Sequence, residues 1–529
     1  MNPINLLFQF FKKRTDLTLP VFDLEKIKCY FENNEVNPAY HVLTEQTCTD
    51  LNFDEFFIRV NKTSSCVGQQ YLYDRLRRIP HESEIAGFEN IVQYLKNNTE
   101  FAERCRKHLS GLTHHDTYYI CSLFHDRTPT LSRMMTIVIR ILQFMPLLFT
   151  AIFIIFPKVV WILFFVGFFI TNMVFHYRNK QILFVYLYSI PQFLKLVPIA
   201  RKLSLETALD KIHTDIKDRL QSLQSLIRHL SRFKFDVKIE NDYFALVWGL
   251  KELVNIFFLS EPNFLFRSFR LMDEKRMDIE AVFNYVGHID MLLSTAYLQK
   301  NLPYYCKPQW TEAGLQMTDI YHPLIEQCIP NTLNTVGKSV LLTGSNMSGK
   351  STFIRTVSLN MLSAQTLDLC FARSFSGRRM KIHSAINLYD NISESQSFYM
   401  KEVLTVKGML EESYQCGYNL FVLDEIYKGT NTLERIAAGK AVLSALAENG
   451  NMVFASTHDI ELADLLADEY ELYHFCEQIE QNYLHFDYLL KRGKLKHRNA
   501  IKLLEIEGYP KNVIAEANTI VEKFITLNE

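Results

Sequence analysis

The sequence predicts an α/β P-loop NTPase domain over residues 309–529, preceded by an all-α region that carries a two-helix transmembrane hairpin. Three observations carry this. The run GSNMSGKST at residues 344–352 fits G-x-x-x-x-G-K-[ST] and lies between an apolar stretch and a helical one. An apolar run, Phe421, Val422, Leu423, ends in the adjacent carboxylates Asp424 and Glu425. Residues 141–175 hold a single charge, Lys158, just after Pro157.

Whole-chain properties set the limits. At 529 residues there is room for about three or four domains. Lys and Arg number 57 against 58 for Asp and Glu, a net charge of −1, so any nucleic-acid surface must be local. The ten cysteines form no C-x-x-C pair, which points to reduced thiols in a cytosolic setting, with neither zinc nor a disulfide frame expected. An apolar run at residues 4–11 precedes the basic trio Lys12, Lys13, Arg14, the reverse of a secretory signal.

Residues 1–50 carry no usable motif and stay unassigned. Residues 51–133 read as the start of a helical core, with a strand or turn at 51–60, then helical spacing through Tyr71, Leu72, Leu76 and through Phe88, Ile91, Val92, Leu95. Residues 134–178 form the hairpin. Each arm is slightly short of the roughly 20 residues a span needs, but residues 134–139 extend the first and Arg140 can snorkel. Arg133 before it and Arg178 and Lys180 after it put both ends, and the nucleotide domain, on the cytoplasmic side of the cytoplasmic membrane. The alternative is a pair of helices buried in a soluble core.

Residues 179–308 are read as lever and core helices. The segment 182–199, interrupted by Pro191, Lys195 and Pro198, is a membrane-proximal or buried helix rather than a third span. Leu205, Leu209, Ile212, Ile216, Leu220, Leu223, Ile227 and Leu230 recur every three or four residues, the stripe of one long packed helix. Residues 178–238 hold twelve Lys or Arg against five Asp or Glu, an excess suited to anionic lipid, to nucleic-acid phosphate, or to a solvated helix face. Pro303 and Pro308 mark the linker into the nucleotide domain.

In that domain Val340, Leu341, Leu342 and Thr343 make a buried strand, and a helix follows Thr352 to about Cys370. Gly344, Ser345, Asn346, Met347, Ser348, Gly349, Lys350, Ser351 and Thr352 are assigned to ATP. The glycines let successive amides face phosphate oxygens at a helix N-terminus. Lys350 reaches the β- and γ-phosphates and Ser351 ligates Mg²⁺. Asp424 holds Mg²⁺ through water, and Glu425 orients or deprotonates the attacking water. A second strand at 452–456 ends at Thr457, His458, Asp459, which puts His458 where it can sense the γ-phosphate.

Together, GSNMSGKST, the run DEIYKGTNT at 424–432 and Ser456, Thr457, His458 resemble the MutS family, whose ATPases read GPNMGGKST and DEIGRGTST at these places. Asn346 and Met347 are the distinctive residues. Tyr321, His322, Pro323, Leu324 resemble the family's segment before the ATP site, and residues 397–402, SFYMKE, resemble its S-T-F-M-x-E signature, with Asp390 and Asn391 as the polar pair before it. Phe486, Asp487, Tyr488 and then Asn499, Gly508 and Pro510 resemble its closing strand and helices, and Gly68, Leu72, Leu76, Ile289, Asp290 and Ser294 parts of its helical core. The resemblance implies an ABC-type ATPase domain behind a MutS-like helical core, ATP and Mg²⁺ as cofactors, Ser397 acting in trans on a partner's γ-phosphate, and hence a homodimer with DNA as partner. The pattern departs from the family in three ways: no N-terminal mismatch-reading domain is apparent, the hairpin at 141–175 interrupts the helical region, and Tyr427 and Lys428 replace Gly-Arg.

The expected activity is therefore a membrane-anchored, ATP-switched dimer of this family on mismatched or structured DNA. The alternative is a membrane-associated mechanical switch on a protein or lipid partner, with no DNA role. A transporter fits less well, since two short spans do not line a solute path.

Overall fold

The computed structural model describes residues 22–34, 39–82, 87–126, 133–182, 184–209, 212–232, 252–345, 348–386, 398–480, 483–495 and 500–528. The chain divides into two compact units, each discontinuous in sequence: Met1–Asn37, Lys62–Asp74 and Ile91–Tyr297 form one, and Pro38–Asn61, Arg75–Asn90 and Leu298–Glu529 the other. The stretch 51–133, read as one block from sequence, is shared between them.

The first unit is helical among its described residues. Helices α1 (Arg133–Ile155) and α2 (Val159–Ile182) form an antiparallel pair joined at Pro157 and Lys158. Their apolar windows, Ile137–Ile155 and Val159–Arg178, have mean hydropathies of 2.2 and 2.0, yet only 17% and 11% of them is buried. Most of that apolar surface is therefore exposed on this chain. Phe149 stacks on Phe164 and Phe168 at 5.5 and 5.2 Å and zips the arms together. Buried Asn172 donates to the carbonyls of Leu142 and Phe257, both at 3.1 Å, and Gln143 donates to that of Phe258 at 2.6 Å.

Helix α3 (Phe184–Leu203) runs unbroken through Pro191 and Pro198 and buries Ile190, Phe193, Leu196, Val197, Ala200 and Leu203, so packing outweighs the two missing amide donors. The single long helix expected over 205–230 is not found. In its place stand a 3₁₀ turn, Thr207–Leu209, and two short helices, Ile216–Ser222 and Gln224–Leu230, which meet at Leu223 with ψ −9°. Leu209, Ile216, Leu220, Leu223 and Leu230 of the expected stripe are buried all the same, Ile212 and Ile227 are half-buried, and Leu205 is exposed. The leucine spacing recorded burial, not continuity.

Helix α4 (Arg276–Asn301) carries Asp290, fully buried, which accepts from the Ser64 amide at 2.8 Å and the Ser65 hydroxyl at 2.5 Å. A Cβ at Gly68 would fall 2.1 Å from its Oδ2, so only glycine fits there. Burial pushes the Asp290 carboxyl up to about 6 despite the Ser65 and Ser64 hydrogen bonds and nearby Arg106.

The second unit centres on a six-stranded sheet: β1 (Ser339–Thr343), β2 (Lys381–Ala385), β3 (Asn419–Asp424), β4 (Met452–Thr457), β5 (Tyr470–His474) and β6 (Lys491–Arg492), in the order β6-β5-β1-β4-β3-β2. All neighbours are parallel except β6 on β5. Every residue of β1 and β4 is buried, as expected of central parallel strands covered on both faces. The core joins Leu341, Phe421, Leu423, Val453 and Ala455 to Leu443, Leu446, Leu462 and Leu466 from the covering helices.

The 51–60 segment is not strand or turn but a helix, Phe53–Val60, which buries Phe53, Phe56, Phe57 and Val60 at helical spacing. Just before it, helix Glu45–Asp50 presents Asp50, whose carboxylate accepts from Ser384 Oγ at 2.7 Å and the Ile386 amide at 3.0 Å, while its carbonyl accepts from Arg355 at 2.7 Å.

Candidate nucleotide-binding site

Register puts the site together. Thr457 pairs with Thr343, and Ser456 with Asp424, so β1, β3 and β4 end flush at their carboxyl ends. The residues just past each of these strands are therefore delivered to one edge of the sheet, where open α/β folds bind ligands. After β1 the chain turns at Gly344, φ 150°, where a Cβ would come within 2.7 Å of the Phe475 carbonyl. Gly349, φ 106°, caps helix α5 (Lys350–Leu367), whose free N-terminal amides open toward the turn. The helix ends three residues before the expected Cys370.

Lys350 is buried, with its ammonium donating to the carbonyls of Gly344 at 2.9 Å and Ser345 at 2.8 Å and lying 3.5 Å from His458 Nε2. Burial pulls its pKa down, opposed by Glu425 and Asp424. Ser345 donates to Glu477 at 2.7 Å, and Ser348 back to the Ser345 carbonyl at 2.8 Å, which tightens the loop.

Asp424 accepts from Ser351 Oγ at 2.5 Å and from Ser456 Oγ. A hydroxyl and a carboxylate side by side at the helix start are hard oxygen donors of the type Mg²⁺ takes, and the residues present fit that ion. Glu425 faces His458, whose Nε2 meets its Oε1, and Lys428, whose Nζ lies 3.0 Å from its Oε2. Burial works to raise the Glu425 pKa, but His458 and Lys428 outweigh it and hold the group at about 2. Arg435 grips Asp459 in a bidentate pair at 2.8 and 2.9 Å, fixing the chain just beyond His458.

A cavity of about 560 Å³ adjoins the loop. Lys350, Ser351 and Thr352 line one side, and Ile325, Cys328, Ile329, Phe475 and Tyr488 the other. Apolar walls next to a phosphate cradle suit a nucleobase. Asn331 organises the far wall, donating to the Tyr488 carbonyl at 3.0 Å and accepting from the Leu490 amide at 2.7 Å.

Gly344, Ser345, Ser348, Gly349, Lys350, Ser351, Thr352, Asp424, Glu425 and His458 thus share one edge of the sheet. Asn346, Met347, Asp390, Asn391 and Ser397 lie outside the described residues. Sequence reasoning missed Lys428 and Ser456 as partners of the acids and missed the apolar cavity. Its one signal there was the Tyr321 to Leu324 segment, which leads directly into Ile325. Tyr427 sits at φ 61°, a conformation glycine favours, with its amide donating to Glu402 at 2.5 Å.

A family model described as MutS domain V matches residues 340–525. The chain is 29% identical over 233 residues to DNA mismatch repair protein MutS of Thermus aquaticus, covering 42% of this chain and 28% of that protein. It is 31% identical over 252 residues to MutS protein homolog 4 of Homo sapiens, covering 44% and 26%. Against DNA mismatch repair protein MutS of Aquifex pyrophilus the figures are 28% over 249 residues, 45% and 29%. The chain spans less than a third of the length of the curated relatives it matches.

Proposed function

We propose that the chain is a MutS-family protein, on the match of residues 340–525 to MutS domain V and the similarity to MutS proteins over about 42–45% of the chain, and that it binds and hydrolyses ATP with Mg²⁺ and uses the cycle, as a membrane-anchored homodimer, to switch its grip on mismatched or otherwise structured DNA. The observation that carries the ATPase is the meeting of Lys350, Ser351, Asp424, Glu425 and His458 at one sheet edge. When bound, Mg²⁺ supplies charge neutralisation at the β- and γ-phosphate oxygens. Ser351 and Asp424 would hold it, Lys350 would turn from the loop carbonyls to the phosphates, and the apolar pocket would seat the base. Glu425 stays ionised at neutral pH and would take a proton from the attacking water. His458 and Lys428 orient it, and His458 lies near enough to Lys350 to register an occupied phosphate site.

DNA enters from the names of the relatives, "DNA mismatch repair protein" among them. The hairpin's exposed apolar surface supports the anchor and favours one other reading, a mechanical switch on a protein or lipid partner with no DNA role. Titrating detergent-solubilised full-length protein with duplex, mismatched and branched DNA separates the two. The DNA reading expects binding at low salt that weakens steeply as salt rises and shifts with Mg-ATP. Absence of binding at low salt to all three DNAs would reject it and leave the second reading.

A further inference from the structure

Cys306 and Cys370 face each other across an isolated antiparallel bridge. Each amide donates to the other's carbonyl, Cys306 to Cys370 at 3.1 Å and Cys370 to Cys306 at 2.9 Å. Such a mutually bonded pair sets the Cα atoms about 5.5 Å apart with both side chains on one face. That separation lies within the roughly 4.4–6.8 Å a disulfide spans. A second tie, Lys307 to Asp368 at 3.4 Å, holds the same two segments together. Both cysteines are free thiols, Cys370 buried and Cys306 partly open.

We propose that Cys306 and Cys370 form a peroxide-sensitive dithiol that closes to a reversible disulfide. The Cys306 sulfur attacks peroxide, the O–O bond breaks, and Cys306 becomes a sulfenic acid while the departing hydroxide takes a proton to become water. The Cys370 sulfur then attacks the Cys306 sulfur, the S–O bond breaks, and the hydroxyl leaves as a second water with the Cys370 proton. Two thiols and one peroxide thus give one disulfide and two waters, the sulfurs losing the two electrons that the peroxide gains. The order of attack follows from the environment. Cys306 is the more open of the two, and the neighbouring Cys370 draws its thiol below the ordinary range, while burial holds Cys370 well above. The accessible sulfur is the nucleophile and the buried one resolves it.

The bridge would close a loop over residues 306–370, which contains β1, the phosphate loop and the whole of α5, with Cys370 three residues past its last residue, Leu367. Oxidation therefore staples the exit of the helix that begins at Lys350 to the segment entering this unit, and closing so long a loop raises resistance to unfolding.

Full-length protein is treated with stoichiometric hydrogen peroxide, alkylated, digested and mapped by mass spectrometry. The expected result is a peptide linking Cys306 to Cys370, lost on reduction with dithiothreitol, and an oxidised protein whose melting temperature is raised by several degrees. In Cys370→Ala, Cys306 should accumulate as a sulfenic acid trapped by dimedone, whereas Cys306→Ser should leave Cys370 alkylatable. The proposal falls if, in the wild-type chain, both residues stay fully alkylatable while exposed Cys416 oxidises, or if Cys306 links to a different cysteine. None of these readouts depends on nucleotide or DNA.

Discussion

Glu425 holds its carboxylate on a backbone at φ 54°, and Tyr427 two residues on sits at φ 61°. Each left-handed side-chain residue costs about 1–2 kcal/mol, so the turn after β3 spends stability to aim Glu425 at His458 and Lys428. Because its pKa is depressed, to about 2 from 4.5, its contribution to stability is present in full above about pH 4.5 and is lost as pH falls toward 2. Loss of turnover on mild acidification near pH 6 would therefore not be protonation of Glu425. Glu425→Gln keeps the shape and removes the base: nucleotide affinity should stay within a few-fold of wild type, while kcat falls by about 10²–10⁴. Fluorescent-nucleotide titration and single-turnover hydrolysis read the two separately, and ordinary turnover in this variant would remove Glu425 from its role. The turn at 344–349 and the acids Asp424 and Glu425 were legible in the sequence because each directly follows an apolar strand, so strand and turn are encoded in neighbouring residues. The apolar cavity was not, because Ile325, Phe475 and Tyr488 come from three distant segments, and no local pattern says that Asn331 will set Tyr488 beside Ile329.

Among the elements, length and polarity were legible where they act alone and misleading where tertiary packing decides. The hairpin was readable from composition, since no other described stretch combines such length with so few charges. The leucine stripe at 205–230 and the segment at 51–60 were misread because spacing reports which side chains are covered and leaves open whether the backbone runs on or where it turns. The hairpin carries its own prediction. With 17% and 11% of its apolar windows buried, α1 and α2 in water would expose a contiguous patch far larger than the few hundred Å² soluble proteins tolerate. Full-length protein should sediment with membranes, resist extraction by high salt and carbonate, and be released by detergent. Recovery in the soluble fraction without detergent would count against a spanning hairpin and require a protein partner over the same surface. The polar residues on this pair are satisfied within the protein: Asn172 and Gln143 direct their amide donors to the carbonyls of Leu142, Phe257 and Phe258, as a spanning pair would require.

At the scale of the molecule, the discontinuous units were beyond local reading. Asp50 reaches Ser384 and Ile386, and His41 reaches the Ile382 carbonyl at 2.8 Å, across more than three hundred residues of chain. Those contacts end at Ile386, immediately before residues 387–397, where the family resemblance puts Ser397 and its action on a partner's γ-phosphate. If each site needs Lys350 from one chain and Ser397 from the other, then Lys350→Ala and Ser397→Ala should each abolish hydrolysis as homodimers for different reasons. Mixing them makes the test. In a mixed dimer one site carries both defects, and the other pairs the intact Lys350 of one chain with the intact Ser397 of its partner. Random exchange makes half the dimers mixed with one working site of two, so activity should return to roughly a quarter of wild type at equal ratio in a two-fold dimer. If Ser397 served the site of its own chain, no pairing of the two variants would contain an intact site and the mixture would stay inactive. Recovery with mixing, measured as phosphate release after subunit exchange, thus distinguishes a composite two-chain site from a self-contained one, and its absence would remove the dimeric switch while leaving the geometry of Lys350, Asp424 and Glu425 untouched.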